Sequence, residues 1–183
     1  MSIKHLNMDD KHPNMDDAKK MKKQKDITGS SHVQMEAENE LREILQNQLE
    51  INEGLQPRTI IIEGKVHIRV DAATLDNSVV AEIFARQGKL LDGQQKKLAR
   101  DILKLAVLKQ KMPSSRVILA FANIDIENHL TGASWVAFAV EKFGIELKNL
   151  DKSISPELRM KIILAQNEQA KNRQKLPYLV AML

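Results

Sequence analysis

Apolar and polar residues change rhythm several times along this chain, and the changes divide it into elements. Leu41, Ile44, Leu45 and Leu49 recur at helical spacing with Glu, Gln and Arg between them, which predicts an amphipathic helix over 35–52 that stops before Gly54 and Pro57. The rhythm then shortens to two. Thr59 to Glu63, Lys65 to Asp71 and Val79 to Gly88 are runs rich in Val and Ile, separated by Gly64 and by the loop 72–77. Three such runs in succession predict an antiparallel meander. Helical spacing returns over 94–112, where Leu98, Ile102, Leu105, Ala106 and Leu108 share a face, and Pro113 closes that helix.

The second half alternates strand with helix. Arg116 to Ala122 is almost continuously apolar, as a strand covered on both faces requires. A helix over 133–143, stopped at Gly144, and a strand over 145–150 complete a parallel crossover unit. Ser155-Pro156-Glu157 opens a last helix, with a capping hydroxyl followed by Pro at the first helical position, and Leu158, Ile162, Ile163 and Ala165 supply its core face. The apolar end, Leu176 to Leu183, fits a final strand or a contact surface, the latter suiting a homo-oligomer.

The expected fold class is therefore α/β. A mixed sheet, an antiparallel three-strand meander followed by β-α-β, carries helices on both faces within a single domain over 32–183. Residues 1–31 are rich in Lys, Asp, Asn and Met without an apolar period, and read as a disordered charged tail. Lys19, Lys20, Lys22, Lys23 and Lys25, and the isolated His5 and His12, belong to that tail rather than to a phosphate or metal site.

Composition narrows the function classes. With 183 residues, 43% of them hydrophobic, the chain can build a proper core. It has no cysteine, which removes disulfides and thiolate zinc sites. No run is long enough to span a membrane and the N-terminus is too polar for a signal peptide, so a cytoplasmic location is expected. The net charge of +4 is compatible with a polyanionic partner without establishing one. Aromatic content of 3%, with all four Phe inside apolar runs, argues against base-stacking platforms.

The most informative residue is Glu82, a carboxylate in the middle of an apolar β-type run, where an unpaired charge costs several kcal/mol. It needs a partner. Asp71 closes the preceding run, and if the two strands pair with these residues opposite or diagonal, both carboxylates share a face with His67, Arg69 and Arg86. That arrangement suits a metal or phosphate site. It equally suits an ion-pair network in which Arg69 and Arg86 neutralise the acids across the hairpin.

Other polar groups read as structural. Glu40 and Glu43 on the first helix are expected to be exposed charges. Asn123, Asp125, Glu127 and His129 follow a buried strand, where open α/β sheets place ligands, yet a polar loop is the simpler account. Ser134 and Trp135 begin a helix, and a buried Trp anchoring that helix on the sheet is expected. No Gly-rich phosphate loop, Ser-His-Asp order or His/Glu zinc helix occurs.

The order helix, three meandering strands, helix, strand, helix, strand, helix resembles the restriction-endonuclease-like fold of the PD-(D/E)XK nucleases over roughly residues 35–165. Asp71 at a strand end followed by Glu82 inside the next strand is similar to that family's paired acids. The resemblance implies a nucleic-acid-associated protein performing metal-dependent phosphodiester hydrolysis, with Asp71 and Glu82 as ligands of Mg²⁺. In the family pattern a Lys follows the acid by two residues; here that position is Phe84, so the role of orienting water and stabilising charge passes to Gln87, Lys89, Gln95 or Lys97. Gln87 reaches the site only through a twist or bulge. The alternative is a non-catalytic α/β interaction module that binds protein or DNA, in which the acidic pair is a degenerate site.

Overall fold

The computed structural model describes the backbone of residues 15–180 and the side chains of residues 32–168 and 170. Of the expected tail, 1–31, residues 15–31 have a described backbone and belong to the first helix, and the apolar end as far as Val180 belongs to the last helix in place of a strand; the side chains of 1–31 and 171–183 lie outside those described. The elements run α1 (Met15–Gln48), β1 (Gln56–Glu63), β2 (Val66–Ala73), β3 (Val79–Phe84), α2 (Asp92–Lys111), β4 (Arg116–Phe121), α3 (Ile124–Thr131), α4 (Trp135–Lys142), β5 (Glu146–Asn149) and α5 (Pro156–Val180). The fold is α/β with a five-stranded mixed sheet of order β1-β2-β3-β4-β5. β1, β2 and β3 are antiparallel neighbours, whereas β3, β4 and β5 run parallel.

Two apolar layers cover the sheet. Leu41 and Leu45 of α1 and Leu158 and Ile162 of α5 pack on Ala81, Ile83, Ile118 and Ala120. On the other face Leu98, Ile102, Leu105 and Leu108 of α2 pack on Val80, Phe84, Leu119 and Phe121. Each helix therefore buries the stripe that its spacing marked, and the two central parallel strands lose both faces to the core. β3 departs from the expectation of one polar face: all six of its residues are buried, Glu82 included, because α2 lies across the side on which Glu82 and Phe84 point.

Two further departures have plain causes. Residues 124–131, read as a polar loop, form α3: Asn123 caps it by accepting from the Asp125 N–H at 2.9 Å, and Ile126 and Leu130, one turn apart, face the core. Trp135 is 73% exposed instead of buried, since Val136, Ala137 and Val140 occupy the inward face of α4. Phe138 and Phe143 are exposed too, whereas Phe84 and Phe121 are core residues.

The meander is not a continuous ladder. β1 and β2 form a ribbon closed by the two-residue loop Gly64-Lys65, where Gly64 takes φ +53°. β2 pairs with β3 only at Ala72–Ala81 and Ala73–Val80. Extending that register by one step would set Asp71 opposite Glu82, but there the two strands part.

Candidate functional site

The gap between β2 and β3 is closed by a side chain in place of a ladder bond. Asp71 Oδ2 accepts the Ile83 N–H at 2.9 Å, while its own carbonyl accepts from Arg42 Nε of α1, also at 2.9 Å. A β-bulge makes this possible: Gln56 pairs with Ala73 and Arg58 with Val70, so β2 carries an extra residue in this stretch. Asp71 is thereby held against β3 at Ile83, near enough for its charge to act on Glu82, although the two residues do not pair across a ladder.

The cation that meets Glu82 is Lys104 of α2, not an arginine of the hairpin. Lys104 Nζ donates to Glu82 Oε1 and, at 3.3 Å, to the Arg69 carbonyl. Arg69 itself makes no ion pair among the described residues, so it does not neutralise the acids across the hairpin as expected. Beside Lys104 on α2 sits Asp101, 2% exposed, whose carboxylate accepts from Lys97 at 2.8 Å and lies 3.6 Å from Lys104. Lys97 in turn stands over the Phe84 ring, 5.0 Å from its centre. Lys97, Asp101 and Lys104 follow one another by four and three residues, so a single helix face carries all three to β3.

Electrostatics at Glu82 follow from this crowding. Burial and then the adjacent Asp71 charge push its carboxyl up to about 8, against the pull of Lys104, and Asp101 adds to the rise. Burial lowers the Arg42 guanidinium although Asp71, Glu38 and Glu43 surround it with negative charge. Next to Ile83, on the α1 and α5 side of β3, a small chamber of about 40 Å³ is lined by Glu38, Ile83, Arg86, Lys97 and Gln166; Asp71, Glu82 and Lys104 are not among its lining residues. It adjoins a groove of about 440 Å³ between α2 and α5 that shares Arg86, Lys97 and Gln166. Ile83, whose N–H Asp71 holds, forms part of the chamber wall.

The four other candidates separate. Lys97 is at the site. Gln87 is spent on architecture: its Oε1 accepts from Arg159 at 2.6 Å, its Nε2 donates to the Ala122 carbonyl, and its backbone exchanges two hydrogen bonds with the Gln166 side chain. Lys89 is exposed on the loop after β3, and Gln95 donates at 3.4 Å to the Leu90 carbonyl on the surface. None of the three reaches Glu82. Glu40 pairs with Lys161 across α1 and α5, and Glu43 lines a polar groove with Arg42.

Around Asn123 the polar residues hold the fold together. Asn123 Nδ2 donates to the Gly88 carbonyl at 2.7 Å, and Glu127 accepts from Asn149 at 2.8 Å. The residues that the sequence reading missed are Lys104, Asp101 and Arg42. Their signal was present: Lys97, Asp101 and Lys104 flank the apolar stripe of α2, and Glu82 required a cation.

Two carboxylates beside two ammonium groups can hold a hard divalent cation and neutralise a phosphate. Among the described residues no group of three or more His, Cys, Asp or Glu side chains gathers as metal ligands. No protein-family model matches the chain, and neither curated proteins nor solved structures give a match. No helix among the described residues is long and apolar enough to cross a membrane.

Proposed function

We propose that this protein is a nucleic-acid-associated phosphodiesterase with a restriction-endonuclease-like core, a divergent PD-(D/E)XK relative. The observation that carries the reading is the pairing of Lys104 with Glu82, whose carboxyl also feels the charge of Asp71, the residue that holds the Ile83 N–H where β2 leaves β3. A buried acid beside a second acid is electrostatically costly, and a divalent cation relieves it. Asp71 and Glu82 fit Mg²⁺, which accepts one or two carboxylates and keeps waters for the rest of its shell. When bound, it supplies Lewis-acid activation of water.

The chain's own part is charge and position. Asp71, held by the Ile83 N–H, fixes one carboxylate; β3 fixes the other. Lys104 replaces the lysine that Phe84 displaces from the strand, and Lys97, over the Phe84 ring and facing the chamber, adds a second ammonium to neutralise phosphate charge.

Incubation with single- and double-stranded DNA and RNA in Mg²⁺ or Mn²⁺ tests this. The expected result is cleavage that EDTA stops and that Asp71→Asn, Glu82→Gln and Lys104→Met abolish. Absence of cleavage together with absence of Mg²⁺ binding by calorimetry overturns the enzymatic reading. A second reading, a non-catalytic interaction module, draws on the 2% exposure of Glu82 and its existing neutralisation by Lys104; it predicts nucleic-acid or protein binding indifferent to metal.

A further inference from the structure

At the end of the sheet away from β1, β5 is an edge strand paired with β4 alone. The Leu150 N–H donates to the Phe121 carbonyl at 2.6 Å, so alternation along β5 turns the backbone N–H and C=O of Leu147 outward, away from β4. The Leu147 side chain packs toward the α2-side core. Glu146 and Lys148 point to the opposite face, where Glu146 accepts from Arg116 at 2.8 and 3.1 Å and Lys148 has no ion pair among the described residues. Beside Leu147, α4 leaves an apolar groove of about 440 Å³ bounded by Leu130, Ala137, Phe138, Ile145 and Leu147. Phe138 is 66% exposed, and Trp135, one turn before it on α4, is 73% exposed. With Phe143 just past the helix, this corner gathers the chain's one Trp and two of its four Phe.

We infer that β5 and the adjoining groove form the interface of a two-fold symmetric dimer, in which β5 pairs antiparallel with β5 of a second copy and Leu147 faces its own counterpart. Charges on an edge strand ordinarily guard it against pairing. Here they select the occupant and the register. Outward-pointing backbone groups must meet others that point outward, so the two-fold registers that keep most of this four-residue edge paired place Glu146, Leu147 or Lys148 on the axis. A centre at Glu146 sets two carboxylates face to face, and a centre at Lys148 sets two ammonium groups face to face. With Leu147 on the axis, each Glu146 stands opposite the other copy's Lys148, and the two Leu147 residues exchange both backbone hydrogen bonds. Glu-Leu-Lys is thus complementary to itself reversed. The axis stands perpendicular to the joined sheet, so both α4 helices lie on one face and bring Trp135 and Phe138 together across it. These two rings expose roughly 300 Å² per copy, so two copies together supply about half of the 1,200 Å² at which stable interfaces begin. The strand edges and groove walls lie in the same contact. β4 separates this edge from β3, and the inference stands independently of the phosphodiesterase reading.

Sedimentation equilibrium of the full chain, with Trp135 fluorescence followed over the same concentrations, tests the dimer. At about 100 μM, where a micromolar dissociation constant leaves little monomer, the wild type is expected at twice the chain's 20.7 kDa. Trp135 emission should shift to the blue as the dimer forms. Lys148→Glu and Glu146→Lys each set like charges opposite one another across the axis, and each should weaken the dimer about ten- to a hundredfold. Mixed in equal amounts, these two variants should dimerise with each other, since every charge then faces its opposite. Phe138→Asp should weaken the wild-type dimer by a similar factor, and circular dichroism should show all three variants folded. A monomer at every concentration, Trp135 emission that does not move, single variants that dimerise as the wild type does, or a mixture that stays monomeric overturns the inference.

Discussion

Lys104 and Glu82 meet across the packing of α2 on β3, an ammonium 27% exposed against a carboxylate 2% exposed. Glu82 is therefore the more costly partner to strand. Lys104→Met leaves a buried acid without its cation, and chemical denaturation should show a loss of about 1–3 kcal/mol at about pH 9, where the Glu82 carboxyl is ionised. Protonation relieves that loss, so it should be smaller at about pH 5 than at about pH 9. Adding Glu82→Gln to Lys104→Met should recover part of it, and failure of the double variant to recover would mean the pair is not coupled.

The same carboxyl shapes the pH dependence of folding. Its ordinary value is 4.5, and in the folded chain it is pushed up to about 8. Between these limits the native state holds a proton that the unfolded chain releases, so the native state binds more protons. Its contribution is fully present below about pH 4.5 and is lost as pH rises through 8. Denaturant midpoints measured across this window should fall with pH for the wild type, and the fall should flatten in Glu82→Gln.

Much of this was legible beforehand because apolar period and strand alternation report burial, and burial builds the sheet and its helices. Leu98, Ile102 and Leu105 marked the inner face of α2, and the strands at 59–63, 65–71 and 116–122 stand where their patterns put them, within a few residues. Asp71 comes to β3 at the Ile83 N–H, near Glu82. Their cation was harder to find, because a lysine on the edge of an apolar stripe resembles any solvated lysine until the neighbouring strand is known. Alternation also could not reveal that β2 bulges beside Asp71, or that α2 covers the Glu82 face. Trp135 misled for a related reason: one residue at a helix start carries no period, so size alone suggested burial.

Phe84 holds the position where the resembled family carries its lysine, but it is fully buried in the α2-side core. Phe84→Lys should not improve any activity. Replacing the ring with an ammonium removes core packing and buries a charge, and the cost should be about 3–5 kcal/mol, seen as a large drop in denaturation midpoint. A folded and more active Phe84→Lys would show that α2 does not supply the missing cation.

Gln87 offers the opposite case, a proposed site residue with a structural duty. Its side chain ties Arg159 of α5 to the Ala122 carbonyl at the end of β4. Gln87→Ala leaves a part-buried guanidinium and a carbonyl short of partners, for an expected loss of about 1–3 kcal/mol. Hydrogen exchange should rise at the N-terminal half of α5 and in the 85–91 loop. Mg²⁺ binding should be unchanged, because none of those groups touches Asp71 or Glu82.

Metal binding should be linked to both the proton and the lysine at Glu82. A cation on Asp71 and Glu82 competes with the Glu82 proton, so Mg²⁺ affinity by calorimetry should rise as pH rises toward 8 and then level off. It competes with the Lys104 ammonium as well, so Lys104→Met should bind Mg²⁺ more tightly while losing catalysis. That pairing separates a metal site from a mere ion pair: loss of affinity in Lys104→Met would mean that the lysine supports the cation only by holding the fold. At saturating Mg²⁺, about one hundred times the dissociation constant, the folded state gains roughly 2.7 kcal/mol. The melting temperature of the wild type should rise accordingly and return with EDTA, whereas Asp71→Asn should not respond.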